Sequence, residues 1–215
     1  MEFGQVVAQR RMVRRFRDQP VEEDFLRRAL THATRAPSAG FTQGWGFLTL
    51  RTPAAVNRFW STTGGEGSNA WLDGMKTAPV IVVVFASAAA YRERYGESDK
   101  AGAHPRAAGM PWWQIDAAMA SLLILQTATD EGYGACFFGV PEATVAALRE
   151  TFEVPGDYSP IGAIALGHPA SDRPTGSPTR RPRKSFDEVV HDGKWGQTLR
   201  LTTPSVESGA GDAAE

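Results

Sequence analysis

Nineteen arginines and only four lysines make up the 23 cations of this 215-residue chain, and their placement is the first chemical signal. Residues 8–17 run Ala-Gln-Arg-Arg-Met-Val-Arg-Arg-Phe-Arg, so five arginines fall between positions 10 and 17 with no acid among them. Like charges at that spacing repel, so the run is either a solvated basic face or a set of guanidinium groups in need of an anion. A second cluster follows the apolar body of the chain: Arg180, Arg181, Arg183 and Lys184, with Arg173 nearby. A guanidinium fork matches phosphate oxygens in pairs, so two such clusters suit one small phosphate if the fold brings them together. Between them, residues 36–40 (Ala-Pro-Ser-Ala-Gly) read as a tight loop that ends a helix and offers a hydroxyl and backbone N–H groups.

Other catalytic chemistry is sparse. No dinucleotide fingerprint or Walker sequence occurs, and Gly-Gly-Glu-Gly-Ser at 64–68 lacks the lysine of a phosphate loop, so it reads as a surface turn. His32, His104, His168 and His191 have no metal-ligand spacing. Cys136 lies inside an apolar run and reads as a packed thiol. What remains is a bound cofactor that carries the chemistry, or no chemistry at all.

Composition narrows the class. The 23 Lys+Arg against 24 Asp+Glu give a net charge of −1, which argues against a nucleic-acid partner. An apolar share of 42% supports a sizeable core, and one cysteine excludes a disulfide-stapled fold. The first residues lack the apolar stretch of a secretory signal, and the longest strictly apolar run, 80–86, is far too short to span a bilayer. A soluble, cytoplasmic protein with no membrane partner is expected.

The elements that must position these residues are legible in outline. Residues 21–35 predict an amphipathic helix with Phe25, Leu26, Ala29, Leu30 and Ala33 on one stripe, ended by Pro37. Residues 45–50, 80–85, 135–140 and 160–167 predict strands, the second buried on both faces. Residues 113–131 predict a long helix that is apolar almost all round and must be covered on every side, by its own domain or a partner chain. Pro141 is expected to open a helix carrying Val145, Leu148 and Phe152. The stretch 87–111 reads as irregular and long enough for a lid, and 201–215 as a disordered or extended tail. Strands and helices without βαβ alternation predict an α+β fold in one domain over 1–200.

Four segments in order carry a resemblance. Arg10-Arg11-Met12-Val13-Arg14-Arg15-Phe16 resembles the Arg-Arg-Ser-Val-Arg-x-Phe opening of the nitroreductase-like family of FMN-dependent oxidoreductases. Residues 36–45 resemble its Ala-Pro-Ser-x-x-Asn-x-Gln-Pro-Trp segment, with Phe41 where the family has Asn and Gly44 where it has Pro. Residues 132–139 resemble its Gly-Leu-Gly segment and following strand, and 183–190 its closing Arg-Lys-Pro-Leu-Glu-Glu-Val-Val.

The resemblance implies a three-layer α+β fold, with a central, mostly antiparallel sheet flanked by helices. It also implies a homodimer with the long helix at the interface and FMN bound between subunits. The implied activity is ping-pong hydride transfer from NADH or NADPH, through flavin N5, to a nitroaromatic, quinone or similar acceptor. A flavin-dependent biosynthetic dehydrogenase, other flavin chemistry, a deazaflavin reductant and a non-catalytic flavin-binding protein are the alternatives. Arg10, Arg11 and Met12 would lie around the ribityl phosphate, and Arg181 and Arg183 would grip it. Arg14 would approach N1 and the C2 carbonyl, where a fixed cation stabilises the charge of reduction. Pro37, Ser38 and Ala39 would reach the flavin from the partner subunit, and Phe137, Phe138, Gly139 and Val140 would cover one ring face and the N5 edge. Met12 replaces the family's hydroxyl residue. Phe41, Trp112 and Trp113 are the candidates for the substrate pocket, each with simple packing as its alternative.

Overall fold

Four apolar runs become four strands that pair in the order β1-β2-β4-β3: β1 (Trp45–Leu50), β2 (Val80–Ala86), β3 (Gly134–Phe138) and β4 (Ser159–Gly167). All three pairings are antiparallel, and a bulge interrupts the β2–β4 register between Val84 and Phe85. The computed structural model describes residues 1–64, 67, 69–100, 109–170 and 181–201. They fall into two compact units, Met1–Asp172 and Arg173–Glu215.

The first unit has three layers, because the period of two along each strand sends alternate side chains to opposite faces. Val80, Val82, Val84, Ile164 and Leu166 face α2 (Glu23–Ala33) and α6 (Trp112–Asp130). Ile81, Val83, Phe85, Ala163 and Ala165 face α3 (Pro53–Thr63), α4 (Ala70–Met75) and α7 (Val145–Thr151). Every residue of β2 is buried, as its β-branched composition predicts. The predicted stripe of α2 is also met, with Phe25, Leu26, Ala29 and Ala33 buried and Leu30 half-buried.

The long helix α6 buries Ala117, Ala120, Ile124 and Ala128 against α2 and the sheet. Its other side is left open among the described residues, with Leu122 44% exposed and Met119 and Leu123 half-buried. Near it, α1 (Phe3–Gln9) packs through Val6 and leaves Phe3 and Val7 exposed. Among the described residues no helix is long and apolar enough to cross a membrane.

Two expectations are corrected. Pro141 does not open the following α-helix. Its extended ψ of 132° puts it ahead of a 3-10 turn, Glu142–Thr144, and α7 starts only at Val145. The first part of the stretch read as an irregular lid is instead helix α5 (Ala88–Gly96), followed by a 3-10 turn at Ser98–Lys100. Ser87 starts α5 by accepting the Ala90 N–H at 3.2 Å, and Tyr91 buries its ring. Residues 101–108 of that stretch, the tail from 202, and Arg173 and Arg180 lie outside the described residues.

In the second unit the last helix, α8 (Phe186–Val189), begins with a capping box. Both the Ser185 N–H and the Ser185 hydroxyl donate to Glu188 Oε2 at 2.8 Å. That pair of bonds holds the Glu188 carboxyl below its usual range.

Candidate functional site

The arginine-rich segment runs along the β3 edge of the sheet. Met12 makes a parallel bridge to Ala135, and the Val13 N–H donates to the Ala135 carbonyl at 2.9 Å. Further on, the Arg17 N–H donates to the His168 carbonyl at 2.9 Å, the Ala170 N–H to the Arg15 carbonyl at 3.1 Å, and the Phe16 N–H to Thr77 Oγ1 at 2.8 Å. Two glycines permit this approach. A Cβ on Gly134 would stand 2.8 Å from Val13 Cγ1, and one on Gly74 would overlap the Arg14 carbonyl oxygen.

Val13 and Phe16 are buried, while Arg10, Met12 and Arg14 are half-buried and Arg11 is exposed. The guanidinium of Arg14 makes one long bond, to the Met12 carbonyl at 3.4 Å. Neither Arg10 nor Arg14 pairs with a carboxylate among the described residues. The charge of Arg14 reaches β3: burial pushes the Cys136 thiol up, and Arg14 pulls it partly back. The thiol is buried and packed, as its place in an apolar strand predicts.

β3 then delivers residues 137–140. Phe137 packs toward α2 and α6 with its ring over Gly162, whose missing Cβ makes the room. Phe138 faces the other way, stacked on Trp60 at 5.5 Å with edge contacts to Phe59 and Trp71. The two phenyl groups therefore lie on opposite sheet faces, because successive strand residues alternate. What runs continuously past them is backbone. It ends at Gly139, which is exposed and where a Cβ would meet no described residue beyond its chain neighbours within 4 Å. Phe138, Gly139 and half-buried Val140 also line a cavity of about 130 Å³ with Trp60 and Trp71.

The loop after α2 is fixed by a residue that the sequence reading missed. Asp116, only 2% exposed, accepts the Ala39 N–H at 2.7 Å and the Tyr91 hydroxyl at 2.6 Å. Burial and the adjacent carboxylate push the Tyr91 phenol well above its ordinary range, so it stays a donor. The signal was present in the sequence: Asp116 is the only charged residue between Pro111 and Thr129, and a lone acid in an apolar helix needs buried partners.

Pro37 is exposed, Ser38 and Ala39 are half-buried, and Ser38 Oγ accepts the Gln43 N–H at 2.9 Å. Phe41 is 77% exposed and sits at φ 55°, in the left-handed region that suits Gly and Asn. Phe41→Asn is expected to raise stability by about 0.5–1 kcal/mol by easing that conformation. A denaturant midpoint no higher than wild type would contradict this.

Trp112 and Trp113 are half-buried at the start of α6. Trp113 packs against the α2-side core, and the Trp112 indole N–H has no partner among the described residues. Arg181 and Arg183 are exposed in the second unit. A shallow cavity of about 480 Å³ between α2 and β1, lined by Leu26, Arg27, Leu30, Thr49 and Arg51, contains none of the predicted site residues.

Comparison with known proteins places these features in a wider set. Residues 7–168 match the model of the Nitroreductase family. The chain is 26% identical over 196 residues to an NADPH-dependent oxidoreductase of Staphylococcus aureus strain MRSA252, covering 88% of this chain and 72% of that protein. A nitroreductase family protein from Clostridium difficile 630 superposes with a TM-score of 0.69 at 20% identity, over 90% of this chain and 99% of that one. An FMN-dependent nitroreductase from Clostridium difficile R20291 superposes with a TM-score of 0.64 at 21% identity, over 88% and 98% of the two chains.

Proposed function

Because the chain belongs to the Nitroreductase family, whose model covers residues 7–168, we propose that it is an FMN-dependent NAD(P)H oxidoreductase working as a homodimer. The observation that carries the reading is the pair of half-buried arginines, Arg10 and Arg14, which have no carboxylate partner among the described residues, on a segment bonded to β3. A half-buried cation without a counter-ion favours a bound anion. The open backbone at Gly139, just past the strand paired with that segment, suits the close approach of a planar ring. These residues fit FMN.

Bound FMN would supply two-electron chemistry in alternating half-reactions, from NADH or NADPH and then to an oxidised acceptor such as a nitroaromatic or quinone. The chain's own residues bind and tune. Arg10, Arg11 and Met12 would surround the ribityl phosphate. Arg14 would bring its guanidinium to the pyrimidine edge of the flavin. The backbone of Phe137 to Gly139, with Val140 beyond it, would form the edge that meets the flavin. Pro37, Ser38 and Ala39 contribute from the second copy, and Trp112 and Trp113 join Phe41 as pocket candidates. The uncovered side of α6 at Met119 and Leu122, with Phe3 and Val7 of α1, supports the dimer.

Protein supplied with FMN should show flavin absorbance, bleach when NADPH or NADH is added without oxygen, and run at twice 23.3 kDa. A colourless protein would remove the reading. Arg10→Ala should raise the FMN dissociation constant about 10- to 100-fold, as expected for a lost charge-assisted contact to phosphate. Arg58→Ala, on the exposed side of α3, serves as the control. Equal affinities in the two variants would sink the phosphate assignment.

A further inference from the structure

The loop between α2 and β1 holds a large aromatic side chain out of the protein on a backbone that resists it. Gly40, Phe41 and Gln43 all have left-handed φ angles, 63°, 55° and 54°. Only the first of these is a glycine, so the other two conformations must be imposed by their surroundings. The restraints are on every side. The Phe41 N–H donates to the Ser38 carbonyl at 2.9 Å, the Gln43 N–H to Ser38 Oγ at 2.9 Å, and the Thr42 hydroxyl to the Ala39 carbonyl at 2.6 Å. Asp116 holds Ala39 from α6. From α5, Arg94 Nε donates to the Gly40 carbonyl at 2.8 Å while its two terminal nitrogens are locked on Asp99 at 2.7 and 2.8 Å. The Tyr95 ring closes on Gly40, so that a Cβ there would stand 3.3 Å from it.

None of these restraints involves the Phe41 ring, which is 77% exposed. Core packing therefore does not explain a phenylalanine at this position. In the family motif that the loop resembles the residue is Asn, which adopts a left-handed backbone readily. Here the same backbone geometry carries an exposed phenyl ring.

We propose that Phe41 is a specificity-determining residue that stacks on planar aromatic acceptors and favours them over acceptors without a ring. The proposal rests on the flavin reading, in which residues 37–39 of this loop reach the cofactor site of the second copy. A rigid loop suits such a contact, since stacking on a fixed ring avoids the entropy of ordering a mobile one. Offset or edge-to-face ring pairs supply selectivity rather than catalysis, so the bonds made and broken in the reaction do not change.

The test compares the FMN-loaded dimers of wild type, Phe41→Asn and Phe41→Trp. The readout is the ratio of kcat/KM for 1,4-naphthoquinone to that for ferricyanide, which takes electrons without stacking. Phe41→Asn should lower the ratio about five- to tenfold, through KM for the quinone, and Phe41→Trp should restore it. A ratio within twofold of wild type overturns the proposal. So does a Phe41→Asn protein that sediments as a monomer, because the ring would then be a subunit contact. A wild type that binds no FMN would remove the flavin reading separately. In that case calorimetric titration with 2-naphthoate, a planar aromatic that accepts no electrons, still decides the stacking. Equal affinity in wild type and Phe41→Asn overturns it, and about fivefold weaker binding in the variant supports it.

Discussion

Asp116→Ala is expected to destabilise the protein by about 3 kcal/mol, and to lower the melting temperature by roughly 6–12 °C at this chain length. The size of the effect follows from what the carboxylate leaves behind. Its two partners, the Tyr91 hydroxyl and the Ala39 N–H, come from α5 and from the loop after α2, and both bonds are short, at 2.6 and 2.7 Å. Removing the acceptor orphans a buried phenol and an amide, each at a cost of about 1–3 kcal/mol. Tyr91→Phe should cost less, about 1 kcal/mol, since it removes only one of the bonds. The two losses should be non-additive in a double-mutant cycle, because both variants break the same bond. Alkaline unfolding gives an independent check. The Tyr91 phenol is held above its ordinary value of 10.0, so its contribution is complete below that pH and is lost as pH rises beyond it. Tyr91→Phe should therefore show a flatter fall in stability above about pH 10 than wild type. Equal slopes would mean that the phenol is not held as the geometry implies.

The parts of the fold that were legible in the sequence are those whose signal is local. The β-branched run 80–85 favours a strand buried on both faces over a short helix, and the stripe of α2 marks its buried side. The signals of α3 are equally local. Thr52 caps it by accepting the Ala55 N–H at 3.2 Å, Pro53 follows, and Val56, Phe59, Trp60 and Thr63 form its buried stripe. α4 begins in the same way, with Asn69 accepting the Leu72 N–H at 2.9 Å. By contrast, the partners of Asp116 lie 25 and 77 residues away. No periodicity could name them, although the carboxylate itself demanded some. The arginine-rich run gave its charge but not its path. Whether Arg14 is solvated or half-buried depends on the bridge between Met12 and Ala135, a pairing set by tertiary packing. Phe137 and Phe138 show the reverse. Their opposite facing follows from strand alternation alone, and the family resemblance had grouped them on one ring face.

Gly74→Ala should be nearly as damaging as loss of Asp116, about 2–3 kcal/mol, and should disturb the proposed cofactor site at the same time. The added methyl would run into the Arg14 carbonyl, which is backbone and not the end of a flexible side chain. That carbonyl has little room to retreat. The Val13 N–H is bonded to Ala135, the Phe16 N–H to Thr77, and the Arg15 carbonyl to Ala170. Thr77 is tied back to Gly74 through its hydroxyl, which donates to the Gly74 carbonyl at 2.6 Å. Either α4 shifts, or the segment that carries Arg14 shifts and takes the guanidinium from its position. Gly139→Ala separates fold from site. A Cβ there meets nothing within 4 Å, so the melting temperature should hold while FMN affinity or the rate of flavin reduction falls. On α1, Gly4→Ala also meets nothing and should stabilise by about 0.5–1 kcal/mol through helix propensity alone. The decisive comparison is thermal melting with and without FMN for all three. If Gly74→Ala melts like wild type, the arginine segment is less firmly held than its hydrogen bonds require. If Gly139→Ala keeps both its melting temperature and its flavin behaviour, the backbone end of β3 is not the flavin edge.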